Sequence, residues 1–167
     1  MQEHIQNELA SFIANCDWEK IAPHFKEDAA YRVLDWIGCA VAGEHYPQVE
    51  IAQKYFIENG DQGNSTVIGH QTKCSPRTAA FLNGIAGHVC ELDDGHRTAI
   101  GHPGSIAVPT ALALGEHLNA SGADVLKAVI LGYEVFSRLG RTVNPSHYRT
   151  WHTTGTCGTI AAAAAAA

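Results

Sequence analysis

The segment Ser75-Pro76-Arg77-Thr78-Ala79-Ala80-Phe81-Leu82-Asn83-Gly84-Ile85-Ala86-Gly87-His88-Val89-Cys90 opens with a hydroxyl cap and a proline at the first helical position, a strong helix start. Ala79, Ala80, Leu82, Ile85, Ala86 and Val89 then recur at helical spacing, which predicts a helix to about Cys90. It runs into Glu91-Leu92-Asp93-Asp94-Gly95-His96-Arg97-Thr98-Ala99-Ile100-Gly101-His102-Pro103-Gly104-Ser105. That loop packs carboxylates, histidines and glycines between two apolar helices. A loop so polar is hard to order, which points to a chemical role.

Working outward, helical spacing recurs on both sides. Upstream, Ile5, Leu9, Phe12 and Ile13 mark a helix from about Glu3 to Ala14. Phe25, Ala29, Val33, Leu34, Ile37 and Val41 form an apolar stripe over about Pro23 to Ala42, with Gly43 as its stop. Pro47 opens a third helix to Glu58, and Ser65 to Gly69 reads as a short extended piece. Downstream, Pro103 begins a helix that Pro109 should kink or loosen in its first turn. Ser121 caps another helix, Asp124 to about Leu139, and Asn144-Pro145 ends that unit. A last helix starts near Thr153 or Thr154 and runs into Ala161 to Ala167 without cap or charged last turn. The expectation is an all-α, multi-helix domain over residues 1–167, cut inside a helix as the N-terminal part of a longer protein. The alternative is that unidentified side chains stand as alanine.

Of the 167 residues, 46% are hydrophobic and 17% charged, as expected for a chain that hides surface in a larger body or an oligomer. The net charge of −6, with no basic cluster, argues against nucleic acid. No apolar run is long enough to span a membrane, and the first residues lack a signal peptide's pattern. Five widely spaced cysteines read as reduced thiols in a cytoplasmic protein. Cys157, beside the second polar knot, is a weak candidate nucleophile.

That second knot, Tyr148-Arg149-Thr150-Trp151-His152-Thr153-Thr154-Gly155-Thr156, precedes the last helix. With the first loop it reads as two walls of one site. Glu91, Asp93 and Asp94 are candidate acids or bases, because burial and mutual repulsion raise carboxyl pKa values. His102 and His152 each precede a helix N-terminus, where free N–H groups favour an anion. Arg97 can add a bidentate carboxylate contact, and Thr98, Thr153 and Thr154 offer hydroxyls. A small di- or tricarboxylate fits this set. Two other readings stay open. Asp93 and Asp94 could cap a turn with Gly95 left-handed and His88 a core or interface histidine. Alternatively, His88, Glu91, Asp93, Asp94, His96 and His102 could hold a divalent metal, though the spacing matches no metal template and none is expected.

The run Glu91-Leu92-Asp93-Asp94-Gly95-His96 with Gly101-His102-Pro103-Gly104 resembles the signature of the MmgE/PrpD family, whose members include 2-methylcitrate dehydratase, cis-aconitate decarboxylase and an iminodisuccinate epimerase. His152-Thr153-Thr154-Gly155-Thr156-Cys157-Gly158-Thr159 and Asn83-Gly84 to His88 resemble it too. The resemblance implies a helical domain completed by later chain, a smaller α/β lid domain missing here, a homodimer, and no cofactor. It matches His102 and His152 to the family's active-site histidines and places a catalytic lysine beyond Ala167. The family's acidic loop has Asp and Thr where this chain has Glu91 and Gly95. The implied reaction is a lyase step on a small polycarboxylate: proton abstraction α to a carboxylate with loss of water. Decarboxylation or epimerisation on the same scaffold, and a non-catalytic helical dimerisation domain, are the alternatives.

Overall fold

The computed structural model describes residues 2–71 and 73–167, the side chains of residues 2 and 3 excepted. Among the described residues seven α-helices carry the fold: α1 Gln2–Ala14, α2 Pro23–Gly43, α3 Pro47–Glu58, α4 Pro76–His88, α5 Gly104–Leu118, α6 Gly122–Val143 and α7 Thr153–Ala166. The all-α expectation holds. Strands β1 Ser65–Thr66 and β2 Lys73–Cys74 pair antiparallel; β1 lies in the expected extended piece, and β2 had no sequence signal. Short 3-10 turns at Trp18–Lys20 and His147–Arg149 were likewise unforeseen.

The caps follow the chemistry of their residues. The Ser75 hydroxyl accepts from the Thr78 N–H, and that of Ser121 accepts from the Asp124 N–H. α5 runs through Pro109 as one helix, and α6 extends past its predicted end to Val143. Within the extension, Gly140 lets the Ala99 backbone lie against the helix.

α4 is central, packed on α2 and α5; α5 in turn contacts α6 and α7, which pack on each other. The main core joins Trp36, Ala40, Val49, Ala86, Val108, Ala111 and Val129. The face that α2 buries differs from the stripe its sequence predicts. Ala29, Trp36, Cys39, Ala40 and Gly43 are buried, while Phe25, Leu34 and Val41 are exposed. Close helix approach decides this: a Cβ at Gly43 would overlap the Ala86 carbonyl, and one at Gly87 would overlap the Trp36 ring. Small residues therefore meet α4 at the crossing, Trp36 fits against Gly87, Val33 and Ile37 stay half-buried, and Phe25, Leu34 and Val41 turn outward. Gly43→Ala should lower stability by about 1–3 kcal/mol, the cost of overpacking. A thermal melt of the full-length protein checks this, and an unchanged midpoint would refute the close crossing.

Candidate functional site

The acidic loop leaves α4 through a left-handed residue, but not the expected glycine. Glu91 has φ 53°, and Ile100 also has φ 53°. Gly95 is not left-handed. A β-branched residue there is strained, by about 1–3 kcal/mol. The surroundings of Ile100 impose it. Its N–H donates to the His96 carbonyl at 2.8 Å, and the His96 N–H donates to the Gly101 carbonyl at 2.8 Å. Ala99, fully buried in this small hairpin, packs on Phe136 and α7. The hairpin therefore sets down His102 beside α7, where its backbone N–H donates to the Thr154 hydroxyl at 3.1 Å. The two polar knots meet.

The acidic residues separate into different environments. The Asp93 side chain is 0% exposed. The Nδ1 of His88 stands 3.0 Å from both of its carboxylate oxygens. The Nδ1 of His102 lies 3.4 Å from Oδ2, without hydrogen-bond alignment and with no other partner. The His88 and His102 rings are 4.8 Å apart. Glu91 is exposed, with Oε1 3.6 Å from the Nε2 of His88.

Asp94 faces elsewhere. It pairs with Arg32 at 2.9 Å and accepts from the Gly104 N–H at 3.1 Å. The Tyr133 hydroxyl lies beside it, and burial, then the Asp94 charge, push the Tyr133 pKa well above its ordinary value. Asp94 thus fills the N-terminus of α5 from within the protein. At this helix end a carboxylate of the protein itself takes the Gly104 N–H, so the expected cradle with His102 is already partly filled from within.

The N-terminus of α7 is different. His152 is its cap residue, is exposed, and makes no side-chain cap bond. The hydroxyls of Thr153 and Thr154 turn inward. Thr153 is 0% exposed and its hydroxyl accepts from the Asn144 amide at 3.0 Å. Arg97 and Thr98 are exposed on the hairpin and make no described contact with the Asp93 cluster. An open groove of about 540 Å³ between α4, α5 and α7 is lined by His88, Ser105, His152, Thr154 and Gly155 among mainly apolar neighbours. His88, Asp93 and His102 each offer one ligand atom, all within 4.8 Å of one another, so a divalent cation could be held there. All five cysteines are free. Burial raises the pKa of the Cys157 thiol, which removes its case as a nucleophile.

Residues 7–167 match the family model described as the MmgE/PrpD N-terminal domain. The chain belongs to the MmgE/PrpD family. It is 32% identical to a cis-aconitate decarboxylase-like protein of Aspergillus oryzae over 97% of this chain and 36% of that protein. It is also 32% identical to a cis-aconitate decarboxylase of Aspergillus terreus, over 98% of this chain and 34% of the relative. The human cis-aconitate decarboxylase is 34% identical over 80% of this chain and 29% of that enzyme. The chain therefore spans about a third of the length of these relatives. No described helix is long and apolar enough to cross a membrane.

Sequence reading of this MmgE/PrpD chain left out Arg32 and Tyr133, and took His88 only as a core or interface histidine or as one of several possible metal ligands. A signal for His88 existed: it closes α4 immediately before the acidic loop. Arg32 and Tyr133 reach Asp94 from α2 and α6, and nothing local in the sequence marks them.

Proposed function

We propose that this chain forms one wall of the active site of a lyase acting on a small polycarboxylate. Decarboxylation of a cis-aconitate-like acid is the first reading. The observation that carries it is Asp93, a fully buried carboxylate between His88 and His102, with His102 tied to the same helix end that His152 caps. Similarity to cis-aconitate decarboxylases supplies the substrate class.

The chemistry needs an anion-binding surface and a proton carrier. His152 and the positive end of α7 suit a substrate carboxylate. His102, backed by Asp93, suits proton transfer. In decarboxylation the bond from carbon to one carboxylate breaks, CO2 leaves with the electron pair remaining on carbon, and an acid returns a proton to the carbon framework. In dehydration a base takes the proton α to a carboxylate and an acid protonates the departing hydroxyl. Glu91, exposed at the loop's start, is the second proton carrier. Asp94 holds the fold of the site rather than moving protons. A homodimer, and chemistry without a cofactor, belong to the same proposal.

Dehydration of a 2-methylcitrate-like acid is the second reading; Glu91 and Gly95, both exposed, are the loop positions where a difference in substrate is first to be sought. The test is to offer cis-aconitate and 2-methylcitrate to a full-length protein carrying this chain. CO2 release from cis-aconitate supports the first reading, and water loss from 2-methylcitrate the second. Turnover of neither overturns the lyase reading. Chelation should leave turnover unchanged; loss restored by added metal overturns the cofactor-free mechanism.

A further inference from the structure

We propose that His88 is a positioning residue for this reaction: it holds the Asp93 carboxylate in place behind His102. The inference rests on the lyase reading above and extends it to a residue whose sequence reading was a core or interface histidine.

A fully buried carboxylate needs aligned donors, since leaving it unpaired away from water is strongly unfavourable. An ionised carboxylate only accepts, so the ring nitrogen facing it must carry the hydrogen. The Nδ1 of His88 meets that need, 3.0 Å from both Oδ1 and Oδ2. His102 does not, because its Nδ1 stands at 3.4 Å without alignment. His88 therefore fixes the rotamer of Asp93, and Asp93 presents Oδ2 to His102.

The opposite edge of the ring faces the exposed Glu91 side chain, with Nε2 3.6 Å from its carboxylate and no hydrogen bond between them. The ring's hydrogen bond is thus to Asp93 alone. The left-handed backbone of Glu91 brings its side chain back over the end of α4 to reach the ring. His88 sits in the last turn of α4, whose Gly84 lies close to the Ser105 carbonyl of α5, so the ring has a rigid support. Without His88, Asp93 would be free to turn toward His102 or to admit water. Neither change touches His152 or the end of α7. The loss should appear in kcat and leave KM nearly unchanged.

The experiment uses the full-length protein, with three replacements of His88 assayed beside wild type and His102→Ala. His88→Asn places an amide nitrogen near the position of Nδ1, His88→Gln places one near Nε2, and His88→Leu provides none. The expected result is a kcat about 10²-fold lower for Leu and for Gln, the lower end of what proton-transfer catalysis contributes. The Asn variant should recover most of it, with KM little changed in all three. A Leu variant with wild-type kcat overturns the proposal. If Leu does not fold, equal kcat for Asn and Gln overturns it, because a packing role would not distinguish the two nitrogens. An active wild type with an impaired His102→Ala variant keeps the lyase reading intact whatever His88 shows. An inert wild type removes both.

Discussion

Replacing His102 by alanine should lower kcat/KM by about 10²–10⁴-fold, the contribution of a positioned proton carrier. The protein should still fold. The bond that anchors this position runs from the backbone N–H to Thr154, and alanine retains it. The ring's Nδ1 makes no hydrogen bond that folding would lose. What disappears is the imidazole facing Asp93 and lying 4.8 Å from His88. The full-length protein, assayed on cis-aconitate with its melting temperature taken alongside, separates the two effects. An unchanged kcat/KM with an unchanged melt would remove His102 from the reaction path.

Phe136→Ala should destabilise the protein by about 3–5 kcal/mol, as for other fully buried aromatic truncations. Phe136 is 0% exposed and forms a cluster with Ala99, Cys157 and Ala161. Its ring tip lies directly under Gly101, where an added Cβ would come within 2.8 Å of Cζ. The ring thus supports the hairpin that carries His102. Ala99 and Ala161 are too small to fill the cavity that truncation opens. Phe136→Leu, closer in volume, should cost less than about 1.5 kcal/mol. Thermal or urea unfolding of both variants tests the ordering. Equal loss in the two would show that the cavity under the hairpin is not the cause.

Much of the helical framework was legible in local chemistry. Ser75-Pro76 and Ser121 announced helix starts, and Asn144-Pro145 a stop, because caps and proline act within a few residues of where they stand. The buried face of α2 was legible only in part, through Ala29, Val33 and Ile37. Counting hydrophobic residues put Phe25 and Leu34 inside, whereas close packing on α4 selected Gly43, Ala40 and Trp36. Hydrophobicity patterns record affinity for the interior; they do not record how near two helix backbones can come.

The candidate site divides along the same line. Residue types and spacing alone singled out the acidic loop, His102 and His152, and brought the MmgE/PrpD resemblance into view. They could not separate Asp93 from its neighbour Asp94. In the fold, adjacent side chains point to different partners: Asp93 to two histidines, Asp94 to Arg32 and the start of α5. Arg32 lies 62 residues from Asp94 along the chain. A carboxylate's role depends on the charges and donors around it, and those come from helices that meet only when the chain is packed.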